Sequence, residues 1–328
     1  MRIQDLLRAR RADVAMSLII LVWGTNYIVA KDALSHLPPL AFNAIRFALG
    51  LPVMVLAARR APGGIRVARE DVLRLIGLGM LGPLGYQFFF ILAIDRTTST
   101  NTALLTSTAP MWTAIFSLLL GILVFRRPML IGMVMSLLGV SLVVLGGSGS
   151  GFSLSHTALI GSGLALVAAL VTALYNIQIK SLVDRYGSIT VAVWVYAVTV
   201  IGLLIVAVPD LRTLSAENLP VRVWPNLFYS GVMSVGVGFL VESYAIKHIG
   251  PTRMSSYSNF TPIVAAVAGI LVMGDSLTIA LLIGGALTMT GVVLVRRNTY
   301  LRLPPTPPTS DPEPTAARVP GIRPAEGR

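Results

Sequence analysis

The chain has 328 residues, of which 55% are hydrophobic and 12% charged, with a mean hydropathy of +0.78 and a formal charge of +12. A soluble domain carries about 25% charged residues, so this composition excludes an ordinary water-soluble fold. There is no cysteine, which excludes a disulfide framework, a thiolate nucleophile and a cysteine-ligated metal.

Apolar runs of about 20 residues can span a hydrocarbon core of about 30 Å as helices. Ten such runs follow in chain order: 14–34, 39–58, 73–94, 99–124, 128–146, 157–180, 188–208, 224–246, 251–273 and 277–295. Ahead of them, residues 1–13 carry Arg2, Arg8, Arg10 and Arg11. A charged start before an apolar run is also the layout of a secretory signal. Here the run is long for one, and Lys31-Asp32 follow it without a small-x-small cleavage site, so it reads as a first membrane helix. At the other end, residues 297–328 are rich in proline and lack apolar periodicity; they read as a disordered cytoplasmic tail.

The basic residues orient the chain. With residues 1–13 in the cytoplasm, twenty-one Lys and Arg fall on that side and four fall on the other, namely Lys31, Arg96, Arg212 and Arg222. Arg46 lies within a span. The asymmetry predicts both termini in the cytoplasm of a multi-pass inner-membrane protein. The clusters sit between apolar runs, so they read as anchors in a lipid bilayer and not as a nucleic-acid surface.

The two halves repeat. Shifted by 152 positions, Gly79 meets Gly231, Ala93-Ile94 meets Ala245-Ile246, Pro110 meets Pro262, Ile131-Gly132 meets Ile283-Gly284, and Gly139-Val140 meets Gly291-Val292. A slightly different offset pairs Lys31 with Lys180. The repeats are 14–146 and 157–296. Each holds five spans, an odd number, so the second copy enters the bilayer upside down. Inverted repeats place a binding site near the midplane, where the halves meet. Pro110 follows the polar run Thr106-Ser107-Thr108, and Pro262 follows Tyr257-Ser258-Asn259. Both stretches are expected near mid-bilayer, facing each other across a cavity.

The segments WGTNYIVAKDAL (23–34) and LPPLAFNAIRFAL (37–49), with the fourth and ninth spans, resemble the EamA branch of the drug/metabolite transporter superfamily. The resemblance covers roughly 14–296. It implies an all-α membrane protein of ten transmembrane helices in two inverted five-helix repeats, moving small metabolites and often exporting amino acids and related compounds. Trp23, Gly24, Asn26 and Lys31 match the family's first-helix motif, Arg46 the second, and Pro110 and Pro262 the proline of the fourth and ninth. Gly274-Asp275 matches the Gly-Glu that closes the ninth helix. The equivalent pair in the first repeat is Ile122-Leu123, which departs from that pattern.

Polar residues inside spans are the candidate site. Trp23 and Asn26 share one helical face, and an amide at mid-bilayer needs a partner, either substrate or a neighbouring helix. Tyr86, Gln87, Asn101, Thr108, Tyr175, Asn176, Tyr257 and Asn259 are further candidate walls for a small-molecule substrate. Glu242 is an acidic residue well inside a span, and its repeat mate is Phe90. It is a candidate for coupling export to proton entry; a pair with Lys247 or with an interfacial arginine is the alternative. Arg46 and Lys31 are candidate structural charges, although Arg46 could instead hold a substrate carboxylate. Pro110 and Pro262 are candidate hinges, each disturbing a carbonyl four residues earlier.

No catalytic residue, metal or cofactor is expected. The three histidines, His36, His156 and His248, lie near loops, and no phosphate-binding loop appears. The expected function is secondary active transport, by alternating access and in the direction of export, of a small polar metabolite such as an amino acid or related compound. A lipid-linked substrate flippase or another, non-transport integral membrane protein is the alternative, and the sequence leaves the substrate, the direction, the coupling ion and the oligomeric state open.

Overall fold

The computed structural model describes residues 3–60, 64–146, 155–215, 217, 219–275 and 277–298. Most of the proline-rich tail expected to be disordered lies outside these residues. Among the described residues every regular element is helical. In order these are α1 (Ile3–Leu34), α2 (Pro39–Arg60), α3 (Arg69–Gly79), α4 (Gly85–Arg96), α5 (Ser99–Thr106), α6 (Ala109–Leu119) and α7 (Arg127–Gly146). The second half has α8 (His156–Tyr186), α9 (Ser188–Val206), α10 (Val208–Thr213), α11 (Val223–Phe228), α12 (Gly238–Ser258), α13 (Thr261–Ala268) and α14 (Ile279–Arg297).

By length and hydropathy, nine stretches among the described residues are fit to cross a bilayer. The span expected over 251–273 is the exception. The chain breaks at Asn259-Phe260, leaving the shorter apolar helix Thr261–Met273 beyond the break.

Wide π-helical turns interrupt the third span of each half, at Met80–Leu84 between α3 and α4 and at Tyr229–Val237 between α11 and α12. Shifted by 152, the first falls inside the second. Pro83 accounts for the first turn, because it removes a donor and crowds the carbonyl four residues before it.

The two proline-broken helices are not simple kinks. Pro110 and Pro262 each sit in the first turn of a new helix, α6 and α13, where a missing N–H costs nothing. In the first of them, the turn before the proline satisfies its own carbonyls. Ser107 donates to the Leu104 carbonyl (2.7 Å) and Thr108 to the Leu105 carbonyl (2.6 Å). These hydroxyls serve their own backbone. Both broken spans end on a left-handed glycine, Gly121 (φ +69°) and Gly274 (φ +70°), a conformation that glycine adopts without steric cost. The counterpart of Gly274-Asp275 is therefore Gly121-Ile122, and the pair Ile122-Leu123 is displaced by one.

Glycine contacts fix the relation between halves. Lipid supplies no hydrophobic drive for helices to associate, so close backbone approach through small residues carries much of the packing. On α7 and α14, Gly132 lies against Gly291 and Val295, while Gly139 lies against Gly284 and Thr288. Numbers rise along one helix as they fall along the other, so the two run antiparallel. They are also repeat mates: the 152 shift carries Gly132 onto Gly284 and Gly139 onto Gly291, mapping each contact onto the other. The second half is thus inverted relative to the first.

The same two-fold relation recurs elsewhere. Gly231 packs on the Arg46 carbonyl and Leu49, and its mate Gly79 packs on the Val195 carbonyl and Val198. Here the first two helices of each half are related by 149 positions. α1 contacts α12 and α13, and α8 contacts α4 and α6. Polar pairs at opposite ends of the bundle are also related. Arg185 meets Glu70 (2.8 Å) and Asp71 (2.6 Å) at one end. At the other, Arg222 donates to His36 (3.0 Å), at the positions equivalent to Glu70 and Arg185.

Candidate functional site

A cavity of about 250 Å³ lies where the halves meet. The first half contributes Trp23, Asn26 and Tyr27 from α1, Arg46 and Phe47 from α2, and Tyr86, Gln87 and Phe90 from α4. The second contributes Tyr196 from α9, Ser234 and Val235 from the π-helical turn, Phe239 and Glu242 from α12, and Thr261 from α13. Half of this lining is aromatic, so the cavity offers flat apolar walls with a few polar groups set among them, the usual composition of a small-molecule site.

The polar groups differ in how far the protein satisfies them. The Trp23 indole donates to the Ser234 carbonyl at 3.0 Å, tying α1 to the π-helical turn. Asn26 is buried, and its Oδ1 accepts no hydrogen bond from any described residue. Glu242 is half-buried and makes no hydrogen bond or ion pair with any described residue, Lys247 included. Arg46 is 2% exposed and bonded to three neutral oxygens: Nε donates to Asn43 Oδ1 (2.7 Å), one terminal nitrogen to Ser230 Oγ (3.1 Å) and the other to Gln87 Oε1 (2.6 Å).

Six residues singled out in the sequence therefore meet in one cavity: Trp23, Asn26, Arg46, Tyr86, Gln87 and Glu242. The others lie elsewhere. Asn101 is buried in α5, and Thr108 serves the Leu105 carbonyl. The Tyr175 ring covers Gly82, where a Cβ would stand 2.1 Å from it. Asn176 faces outward. Tyr257 donates to Asp13 at 2.9 Å, and Asn259 sits half-exposed in the break. Lys31 donates to the carbonyls of Ile94, Asp95 and Thr97 (2.6–3.0 Å), clamping the C-terminal end of α4 where a cation is favoured. Pro262 lies next to the lining residue Thr261, and Pro110 is outside the lining.

The two broken helices do not both face the cavity. Thr261 lines it from the second half, but the fourth span is screened by Tyr27, whose hydroxyl meets Thr106 Oγ1 at 3.1 Å. The 149 shift explains the asymmetry. Asn26 corresponds to Tyr175 and Tyr27 to Asn176. In the second half a large ring therefore fills the space that Asn26 leaves open, and α8 adds nothing to the lining.

Tyr27, Phe47, Phe90, Tyr196, Ser234, Val235, Phe239 and Thr261 were not among the sequence candidates. Helical spacing could have found some, since Tyr27 is four residues from Trp23 and Phe239 three from Glu242. Tyr196 carries no such signal.

Comparison with known proteins agrees with this architecture. The profile of the EamA-like transporter family matches residues 10–145 and 159–297. A probable amino-acid metabolite efflux pump of Salmonella typhimurium is 26% identical, the match covering 87% of this chain and 95% of that one. A probable terminal-alkyne amino-acid exporter of Streptantibioticus cattleyicolor is 24% identical over 90% of this chain and 97% of the other. An uncharacterized transporter of Bacillus subtilis is 24% identical over 82% and 88%. A solved crystal structure has the same fold, with a TM-score of 0.60 at 20% identity, covering 87% of this chain and 96% of that one. With two family matches that together span most of its length, the chain belongs to the EamA-like transporter family.

Proposed function

We propose that this protein is a secondary active exporter of a small polar metabolite, such as an amino acid or related compound, working by alternating access across the inner membrane with both termini in the cytoplasm. The observation that carries the reading is the cavity between inverted halves, lined from both and holding a buried amide, an arginine and a carboxyl among largely aromatic walls. Charged groups at membrane depth are costly and mark substrate or ion paths. The relatives named as amino-acid efflux proteins support the substrate class and direction. On this reading the Arg185–Glu70 end is cytoplasmic, the His36–Arg222 end is its counterpart outside, and the two ends open in turn as one half rocks against the other. Glu242, without a cation partner, binds and releases the proton whose entry drives export.

Asn26→Ala tests the site. It removes an acceptor that no described residue uses, so the fold should tolerate it. Counterflow of a transported amino acid in proteoliposomes is expected to fall about tenfold, the loss of one buried hydrogen bond to ligand. Unchanged counterflow would move the site away from this cavity.

A further inference from the structure

Resting on that reading, we infer that Arg46 is the receptor for an acid group on the substrate, and that Asn43 and Gln87 are positioning residues which hold the guanidinium while leaving its charge uncompensated. A buried cation normally acquires a carboxylate partner, because an unbalanced charge away from water is expensive. Arg46 has none among the described residues. Its three bonded partners are an amide, an amide and a hydroxyl. They satisfy three of the five guanidinium N–H groups and supply no formal charge. Phe42, Phe47 and Phe90, with centroids 5.3–5.7 Å from Cζ, flank the group and offer only ring faces.

The network is built, and it belongs to one half only. Asn43 is fully buried, and its Nδ2 donates to the Gln87 carbonyl at 2.9 Å while its Oδ1 takes the Arg46 Nε proton. One side chain thus locks α2, α4 and the guanidinium together. The repeat mates of Arg46, Asn43, Gln87 and Ser230 are Val195, Ala192, Phe239 and Leu78. None can make such a bond, so the network is no relic of shared architecture.

A carboxylate fits the two remaining N–H groups, since planar guanidinium pairs with planar carboxylate. A phosphate monoester fits less well, because Arg46 is the only cation among the described lining residues and Glu242 stands in the same cavity. Amides at 43 and 87 are then determinants of specificity. A carboxylate at either position would supply the missing counter-charge from within the protein and compete with the substrate.

The test uses the full-length protein in proteoliposomes. The probes are a panel of L-α-amino acids, each with its carboxamide and its decarboxylated amine, and a simple alkyl phosphate. The wild type is expected to take acids over their carboxamides, with the phosphate excluded. Gln87→Glu should remain folded, with Tm no lower than wild type because it adds an ion pair and keeps the oxygen that Arg46 uses; Asn43→Asp adds the same pair but gives up the Nδ2 bond to the Gln87 carbonyl, so its Tm is expected below that of Gln87→Glu. The KM for acids should nevertheless rise about tenfold or more, collapsing the preference for acid over carboxamide. A merely structural Arg46 would be helped by Gln87→Glu, which leaves the other bonds of the network in place. Wild-type KM in Asn43→Asp therefore overturns the inference, as does a wild-type protein that responds to no acid in the panel. Transport that falls in Asn26→Ala but not in Asn43→Asp overturns this inference alone, whereas transport indifferent to both overturns the cavity reading as well.

Discussion

Glu242→Gln is expected to abolish substrate accumulation driven by an imposed pH gradient while sparing substrate counterflow, which needs no net proton movement. The substitution keeps the size and hydrogen-bonding reach of the side chain and removes only its ability to release a proton. Glu242 qualifies because it lines the cavity and has no partner among the described residues. A structural carboxyl would be tied to a cation, as Asp71 is to Arg185 at 2.6 Å. Its repeat mate, Phe90, is apolar, so the two-fold architecture does not require an acid at this position. Gradient-driven accumulation persisting at the wild-type level in Glu242→Gln would remove Glu242 from the coupling mechanism. Loss of counterflow together with accumulation would recast it as a binding group.

The second large effect concerns assembly of the halves. A Cβ on Gly139 would stand 2.4 Å from the Thr288 nitrogen and 2.5 Å from the Gly284 carbonyl oxygen. On Gly291 it would stand 2.4 Å from the Gly132 carbonyl oxygen and 2.5 Å from the Ser136 nitrogen. In both cases the obstacle is backbone, which cannot swing aside as a side chain can. Gly139→Ala and Gly291→Ala are each expected to destabilise the detergent-solubilised protein by about 1–3 kcal/mol, read as a fall in Tm. Because the two positions are mates across a two-fold, their effects should be similar. The double variant should lose less than the sum, since separating α7 from α14 at one crossing relieves the other. Gly77→Ala is the control, because nothing lies within 4 Å of its Cβ. Unequal effects, with one variant at wild-type stability, would contradict the reciprocal packing.

The fold was legible from sequence because its determinants are local and periodic. Apolar run length marks the spans, and the ordered glycines and prolines mark the repeat. Inversion followed from parity and reappears in the antiparallel contact of Gly132–Gly139 with Gly291–Gly284. The candidate site was legible only in part. Polarity inside a span singled out Trp23, Asn26, Tyr86, Gln87, Arg46 and Glu242, but the same signal also selected residues that serve their own helix. Thr108 is one such residue, capping the carbonyl that its own break exposes. Sequence also cannot say that Tyr27 closes off the fourth span, or that Tyr175 fills the space its mate Asn26 leaves open. Both depend on which ring reaches across to another helix. The arginine network was hidden for a related reason. Asn43, Gln87 and Ser230 lie on three different elements, and only the packing of α2 against α4 and the π-helical turn brings them together.

The most direct test of the central claim, a polar cavity exposed alternately to the two faces, uses the absence of native cysteine. Thr261→Cys places a single thiol at the start of α13, in the cavity lining. Its reaction with a membrane-impermeant thiol reagent can be followed in proteoliposomes, with reagent outside or trapped inside, with and without a transported amino acid. The account predicts labelling from both faces, slowed from both by substrate. Labelling from neither face, or labelling by a lipid-soluble reagent alone, would place the ninth helix break against acyl chains and contradict it.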